Sequence, residues 1–283
     1  MMPEGVAALM LSARKALAAA GCETAALDAR LLMQAASGFS HEQIVGAPEL
    51  LLDERQTRKF ADFLQRRLRH EPVSRILGTR EFYGREFMVT PAVLDPRADS
   101  EAVIELALEF ETAGNPRLLD MGTGSGILAI TLLAECPRRS GLAVDISADA
   151  LHVAKMNAMA NGVSGRLHFH LGSWFAGLVE KFDLIVSNPP YIAHDKIVQL
   201  APDVQNYDPH LALDGGPDGL HAYHAIASNA EGHLNEGGVV IVEIGADQAP
   251  NVKSIFSAHG FKLAGQRDDL SGYVRALAFT VKN

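Results

Sequence analysis

The second half of the chain alternates short apolar runs with helix-like segments, and no other feature of the sequence constrains the fold as strongly. Candidate strands lie at 117–121, 141–144, 167–170, 183–187 and 239–244, and candidate helices lie at 127–135, 148–161 and 219–234. Such alternation predicts a parallel sheet covered by helices on both faces. Two further runs, 262–264 and 274–281, predict an antiparallel hairpin at one edge of this sheet.

The first part of the chain carries a helical pattern instead. Apolar residues recur at helical spacing over 6–20 and 25–36, and a longer helix is predicted over 53–69. Ser40 with Gln43 resembles a capping box that opens a short helix. Gly84 separates two strand-like runs, 80–83 and 86–90, which predicts a hairpin between the helical part and the sheet.

Composition limits the function classes. The chain has 283 residues and a formal net charge of −9, which argues against a dedicated nucleic-acid binder. Its two cysteines and eleven histidines form no metal-binding spacing, so we expect reduced thiols, a cytoplasmic protein and no metal. No segment approaches the ~18 consecutive apolar residues of a membrane span, so we expect no membrane association.

A glycine-rich loop joins the first strand of the sheet to the following helix. Glycines let a backbone turn tightly and approach a ligand closely. The spacing is G-x-G-x-G, unlike the G-x-G-x-x-G of dinucleotide sites. The acidic residue that starts the loop suits an ammonium group, such as that of S-adenosylmethionine, better than a phosphate. The candidate binding residues are Asp120, Gly122, Thr123, Gly124, Ser125 and Gly126. A glycine-rich turn without function is the alternative.

Two later strand ends complete a candidate donor site. Asp145, followed by Ile146, ends the second strand, where an acid commonly accepts hydrogen bonds from ribose hydroxyls. The alternative is that Asp145 belongs only to a helix start, with Ser147 as the N-cap. Trp174 and Phe175 follow the third strand and are candidates for stacking on adenine, although ordinary core packing is the alternative, above all for Phe175.

The tetrapeptide Asn188-Pro189-Pro190-Tyr191 follows the fourth strand and suits a planar nitrogen substrate. Asn188 offers a side-chain carbonyl as a hydrogen-bond acceptor. The prolines have fixed φ and no N–H, so the turn presents carbonyls without competing donors. Tyr191 offers a ring face for a flat group. Since ligands of open α/β sheets bind at the carboxyl ends of the strands, we expect this turn to face the donor.

These motifs together resemble the HemK/PrmC family of release-factor glutamine methyltransferases, within the class I S-adenosylmethionine-dependent methyltransferases. The resemblance covers nearly the whole length. Besides the glycine loop and the Asn-Pro-Pro-Tyr turn, it includes the segments 81–84, 96–101 and 211–220. Asp95 and Ala98 depart from the family pattern, which has an apolar residue and a proline there, and Ser173 stands where relatives often place an acid.

The resemblance implies a fold and a domain organisation. The fold is α/β, a Rossmann-like methyltransferase domain with a mostly parallel seven-stranded sheet, preceded by a small helical domain and a β-hairpin linker. We expect a helical substrate-recognition domain over 1–72, the linker over 73–92 and the methyltransferase domain over 93–283.

The resemblance also implies an activity, methylation at N5 of the glutamine in the Gly-Gly-Gln motif of class I peptide chain release factors. Gly122–Gly126, Asp145 and Trp174 would bind S-adenosylmethionine, Asn188–Tyr191 would hold and activate the glutamine, and Arg97 would contact the substrate. The alternatives are a ribosomal-protein glutamine methyltransferase and a nucleic-acid amino methyltransferase. We expect a monomer without stable nucleic-acid binding.

Basic residues crowd the helix predicted over 53–69, among them Arg55, Arg58, Arg66 and Arg67. The first interpretation is a solvated charged helix face, balanced by nearby acids. The alternative is a surface that docks an acidic face of the protein substrate.

Overall fold

The computed structural model describes residues 5–110 and 114–282. The chain forms two compact units. One consists of Met1–Gly78 with Pro202–Tyr207, and the other of Thr79–Ala201 with Asp208–Asn283. No helix within the described residues is both long and apolar enough to cross a membrane.

The α-helices are α1 (Val6–Ala19), α2 (Ala25–Ser37), α3 (His41–Gly46), α4 (Glu54–Leu68), α5 (Val73–Leu77), α6 (Glu101–Glu109), α7 (Ile127–Glu135), α8 (Ala148–Ala160), α9 (Pro202–Tyr207), α10 (His221–Asn229) and α11 (Ala249–Ala258). The strands are β1 (Thr79–Phe82), β2 (Arg85–Met88), β3 (Arg117–Met121), β4 (Ser140–Asp145), β5 (Leu167–Leu171), β6 (Phe182–Ser187), β7 (Leu234–Glu243), β8 (Phe261–Asp268) and β9 (Val274–Val281).

The helical unit forms where local signals are strong. The predicted capping box at Ser40 is present, and Asp53 with Gln56 forms a second one at the start of α4. Each box satisfies backbone N–H groups that a helix start leaves without partners. Apolar side chains of α1, α2, α4 and α5 share one core, which includes Leu17, Leu32 and Phe60. The helices predicted in this region are confirmed.

Two of the arginines on α4 are engaged within the helical unit. Arg67 is buried, and its Nε lies 2.7 Å from Oδ2 of buried Asp28. Arg66 forms an ion pair with Glu71. Arg55 and Arg58 are exposed. Arg58 lies 3.4 Å from Glu54 in an exposed ion pair. A docking surface on this helix would therefore use exposed basic residues such as Arg55 and Arg58 rather than Arg66 and Arg67.

The second unit is built on a seven-stranded sheet of order β5-β4-β3-β6-β7-β9-β8. All neighbouring pairs from β5 to β7 are parallel, and β9 runs antiparallel to both β7 and β8. Apolar clusters fill both sides of the sheet. The predicted fold class and the edge hairpin are confirmed. The strand order changes direction between β3 and β6, which places a ligand crevice at their carboxyl ends.

The hairpin of β1 and β2 is a separate two-stranded sheet with antiparallel pairing. Asn157 of α8 accepts a hydrogen bond from the Met88 backbone N–H at 2.7 Å and donates to the Ser125 carbonyl at 2.8 Å. One side chain thus joins the hairpin to the glycine loop.

The prediction of one helix over 219–234 was wrong at both ends. Gly219 has φ of +74°, so α10 begins after it, at His221. A 3₁₀ turn follows α10, and Leu234 already pairs with Phe182 as the first residue of β7. The strand continues through Gly237 because a register shift between Phe182 and Leu184 accommodates the extra residues.

Candidate active site

The glycine loop leaves β3 in an unusual backbone conformation. Gly122, Gly124 and Gly126 have φ of +69°, +55° and +86°, values that side chains disfavour. A Cβ at Gly126 would lie 2.7 Å from Cδ1 of Ile130, so this position also lacks room. These three positions therefore require glycine. The helix α7 begins directly after the loop, at Ile127.

Asp145 connects the loop to β4. Its Oδ2 accepts a hydrogen bond from the Gly124 N–H at 2.9 Å, and its Oδ1 accepts one from the Ser147 N–H at 2.9 Å. Ser147 is the N-cap of α8, since its hydroxyl accepts from the Ala150 N–H. Asp145 therefore shapes the end of β4 and lines the adjoining cavity as well.

Asp120 lies beneath the loop and is fully buried. Its Oδ2 accepts hydrogen bonds from the Thr123 hydroxyl at 2.6 Å and the Ala129 N–H at 3.3 Å. Its Oδ1 has no hydrogen-bond partner among the described residues. Burial raises the pKa of Asp120 to about 7, against the effect of these two hydrogen bonds.

A cavity of about 480 Å³ lies at the carboxyl edge of the sheet. It brings together most of the predicted site residues: Arg97, Gly122, Thr123, Gly124, Ser125, Asp145, Ile146, Trp174, Asn188 and Pro190. Asp120, Gly126, Pro189 and Tyr191 are not among its lining residues. Phe175 is buried and stacks on His233 at 4.7 Å between ring centroids, which favours the core interpretation for this residue.

The turn Asn188–Tyr191 is held from the side by the segment 213–219. Two backbone hydrogen bonds join Ile192 to this segment. The Ile192 N–H donates to the Leu213 carbonyl, and the Ile192 carbonyl accepts from the Gly215 N–H. A Cβ at Gly215 would lie 2.8 Å from the Pro190 carbonyl oxygen. The glycines of this segment therefore allow the backbone of the turn to approach closely.

Gln248 fixes the end of the same turn. Its Nε2 donates to the Tyr191 carbonyl at 2.9 Å and to the Gly219 carbonyl at 3.2 Å. The ring of Tyr191 packs with the apolar cluster on its side of the sheet, and burial raises the pKa of its phenol. Tyr191 therefore stays a neutral phenol that supports the turn.

Ser100 and Glu243, for which no role was predicted from the sequence, form hydrogen bonds in line from Asn188, and Ser100 also lines the cavity. The Asn188 Nδ2 donates to the Ser100 hydroxyl at 3.2 Å, and that hydroxyl donates to Oε2 of Glu243 at 2.6 Å. Ser100 and Glu243 are each 1% exposed. The available signal was positional: Glu243 ends the strand beside β6, at the edge where ligands of such sheets bind.

Arg97 is oriented by Asp208, for which no role was predicted from the sequence. Its guanidinium donates to Oδ2 of Asp208 at 2.8 Å, and Oδ1 of Asp208 accepts from the Asp95 N–H at 3.1 Å. Asp95, which replaces an expected apolar residue, is itself buried. Its Oδ2 lies 4.0 Å from the Arg80 guanidinium.

Within residues 5–110 and 114–282, no group of three or more His, Cys, Asp or Glu side chains is arranged to hold a metal ion. The polar side chains that line the cavity belong instead to several chemical classes: the carboxylates of Asp145, Asp149 and Asp214, the Asn188 amide, the Arg97 guanidinium, the His221 imidazole and serine and threonine hydroxyls. Such a set suits an organic ligand with hydroxyl and amine groups.

Part of each unit matches the model of a known protein family. Residues 8–78 match the family model of the PrmC N-terminal domain, and residues 100–204 match that of the methyltransferase small domain. Among solved structures, the chain is similar to the ribosomal protein L11 methylase from Lactobacillus delbrueckii subsp. bulgaricus. The identity is 25%, the TM-score is 0.50, and the match covers 69% of this chain and 84% of that one.

Curated relatives match over almost the full length. The chain is 43% identical over 279 residues to a release factor glutamine methyltransferase of Agrobacterium fabrum, with 97% of this chain and 96% of the relative covered. It is 45% identical over 263 residues to one of Cereibacter sphaeroides, with 93% of each covered. The predicted resemblance is confirmed, and the chain belongs to the release factor glutamine methyltransferase family.

Proposed function

We propose that this protein transfers a methyl group from S-adenosylmethionine to N5 of the glutamine in the Gly-Gly-Gln motif of class I peptide chain release factors. One observation carries the proposal: Asn188 and Pro190 line the same cavity as the glycine loop and Asp145. The names of the relatives support release factors as the substrate, and with them a place in the cytoplasm.

The cavity fits the methyl donor in size and in donor groups. Its volume of about 480 Å³ lies within the ~300–1,000 Å³ of small-molecule sites. Asp145 lies at the cavity wall, at the end of β4, where its carboxylate can accept from ribose hydroxyls. Asp120 does not line the cavity, but its carboxylate accepts from the hydroxyl of Thr123, which does, and so helps to hold the loop in place for the donor.

The glycine loop and Trp174 would hold the rest of the donor. When bound, S-adenosylmethionine supplies an electrophilic methyl group. Trp174 is half-buried at the cavity wall, where its ring can stack on a flat base. Leu128 and Ile127 add apolar surface at the start of α7.

The Asn188 turn addresses the poor nucleophilicity of an amide nitrogen, whose lone pair is delocalised into the carbonyl. The substrate NH₂ donates to the Asn188 side-chain oxygen and to the Pro189 carbonyl. Two fixed acceptors orient the nitrogen and stabilise the positive charge that develops on it. Holding the reactants at near-attack distance contributes up to ~7–11 kcal/mol in well-oriented systems. A strong base is not required, because the proton can leave after methyl transfer.

A second candidate substrate is a glutamine of a ribosomal protein. The structural match to the ribosomal protein L11 methylase favours a ribosomal protein as the substrate, and the choice of glutamine rests on the Asn188 turn alone. It is the weaker candidate, because that match covers 69% of this chain while the release factor relatives cover 93–97%.

The test compares Asn188→Ala with wild type on a purified, unmethylated class I release factor and S-adenosylmethionine. We expect wild type to add one methyl group and Asn188→Ala to lose kcat by ~10²–10³-fold, as for other transition-state dipoles. Donor affinity, measured by calorimetry, should be preserved. Asn229→Ala is the matched control, because Asn229 is exposed on α10 and does not line the cavity.

Two results would contradict the proposal. If wild type leaves the release factor unmodified but methylates a ribosomal protein, the substrate assignment is wrong. If donor affinity falls as far as kcat in Asn188→Ala, the role assigned to Asn188 is wrong.

A further inference from the structure

The side chain of Asn188 has two nearly isosteric ends with opposite chemistry. Its oxygen accepts hydrogen bonds and its nitrogen donates them. The proposed function, on which this inference rests, needs the oxygen to face the substrate NH₂. A flipped amide would place donor against donor and repel the substrate nitrogen. Some part of the structure must therefore determine which end faces the cavity.

The groups behind Asn188 make that choice. Ser100, in the turn before α6, donates its hydroxyl proton to Oε2 of Glu243 at 2.6 Å. The Asn188 Nδ2 donates to the same hydroxyl oxygen at 3.2 Å. Both Ser100 and Glu243 are buried, so bulk water does not compete for these bonds.

The direction of these bonds follows from counting protons. An ionised carboxylate only accepts, and a serine hydroxyl has one proton to give. Once that proton points to Glu243, the Ser100 oxygen can only accept. Of the two ends of the Asn188 amide, only the NH₂ group satisfies it. The Asn188 oxygen is then left on the other side, and Asn188 lines the cavity.

We propose that Ser100 and Glu243 are positioning residues for methyl transfer: together they fix the Asn188 amide with its oxygen toward the substrate.

The charge on Glu243 sets the direction of the chain of hydrogen bonds. Burial raises the pKa of Glu243 to about 7, against the hydrogen bonds from Ser100 and Asn188 and the nearby Arg275 guanidinium. The charged and titratable groups around it are Arg275 of β9, Asp99 beside Ser100, and the phenols of Tyr191 and Tyr223. The Tyr223 hydroxyl donates to the Glu243 backbone carbonyl at 2.9 Å.

The pH dependence has a definite sign. Protonated Glu243 can donate to Ser100, which frees the Ser100 proton to point at Asn188 and favours the flipped amide. Since the ionised form holds the productive orientation, kcat should rise with pH through about 7 and be flat above it. Glu243→Gln has no carboxyl group that titrates at this position, so its kcat should rise less steeply with pH near 7; Asp120, whose pKa is also about 7, is unchanged in both proteins.

The kinetic test compares Ser100→Ala and Glu243→Gln with wild type on the release factor. Ser100→Ala removes one of the two groups that together hold the amide orientation; the other is Glu243, to which Asn188 also hydrogen-bonds. Misorientation of a group that positions the substrate can cost up to ~10²-fold, and we expect a loss of kcat of about 10-fold or more with little change in KM or donor affinity. Ser228→Ala is the matched control, because Ser228 is exposed on α10. A Ser100→Ala kcat within about threefold of wild type, or an unchanged acidic limb in Glu243→Gln, overturns the inference.

A measurement without substrate separates this inference from the proposed function. Protein labelled with ¹⁵N-asparagine shows the Asn188 NH₂ resonance, which is assigned by its absence in Asn188→Ala. We expect it to shift with a midpoint near pH 7 in wild type and to be insensitive to pH in Glu243→Gln. If the Asn188 NH₂ resonance of wild type does not shift with pH, the inference is overturned, even if the release factor is methylated. A wild type that shows the shift and leaves the release factor unmodified overturns only the proposed function.

Discussion

Gly219 offers a sensitive test of how tightly the Asn188–Tyr191 turn is held. It has φ of +74°, and a Cβ there would lie 2.3 Å from the Tyr191 carbonyl oxygen and 2.9 Å from Nε2 of Gln248. Ordinary contact begins near 3.4 Å, so the carbonyl in Gly219→Ala must retreat by about 1.1 Å. The same movement stretches the Gln248 hydrogen bond that ends the turn.

The expected magnitudes follow from these contacts. A non-glycine residue in the left-handed region costs ~1–2 kcal/mol, and the weakened hydrogen bond costs a further ~0.5–1.5 kcal/mol. At ~2–4 °C per kcal/mol for a chain of this size class, Tm should fall by roughly 3–14 °C. A misplacement of ~1 Å at a reacting group can cost ~10²-fold, so kcat should fall by about that factor.

The matched control is Gly260→Ala. Gly260 has φ of +84°, and the position that a Cβ would take there has nothing within 4 Å, so this change brings the same backbone strain without the displacement. We expect a smaller loss of Tm and a wild-type kcat. The assay combines methyl transfer to a release factor with donor calorimetry, and donor affinity should be preserved in both variants because neither glycine lines the cavity. A Gly219→Ala kcat within about threefold of wild type would refute the claim that this segment positions the turn.

Three further changes test other parts of the structure. Arg67→Met leaves Asp28 buried without its ion pair, and should cost ~3–5 kcal/mol in urea unfolding, most of it recovered when Asp28→Leu is added. Asp145→Asn presents an NH₂ group to one of two backbone N–H donors, and should weaken S-adenosylmethionine binding by ~10–100-fold in calorimetry; equal affinity would contradict the assigned role. Charge reversal at Arg55 and Arg58 should raise KM for the release factor with little change in kcat if this helix face docks the substrate, and an unchanged KM would remove that idea.

Elements with strong local signals were predictable from the sequence. The strands at 117–121 and 183–187, the helix at 127–135 and the capping box at Ser40 follow from short-range periodicity and turn chemistry. The glycine loop was predictable because three of its positions need a positive φ. The helix α6 was not predicted, although its sequence carries the signal: Glu101, Glu105 and Glu109 recur at i, i+4 and i+8 on one face, and the residues between them are mostly buried.

The partners of the site residues were not predictable, because tertiary folding brings them together. Ser100 lies 88 residues from Asn188 and 143 residues from Glu243 along the chain. Asp208 reaches Arg97 across 111 residues. Periodicity and local motifs carry no information at such separations. The sequence therefore indicated which groups meet the ligands and left open which groups orient them.

Tandem mass spectrometry of a release factor, after incubation with this protein and S-adenosylmethionine, tests the role of the Asn188 turn directly. The claim is that the Asn188 turn activates one amide nitrogen. We therefore expect a single methyl group on the side-chain nitrogen of the glutamine in the Gly-Gly-Gln peptide, absent with Asn188→Ala. A methyl group on any other residue of the release factor, or an equal yield from Asn188→Ala, would contradict the account.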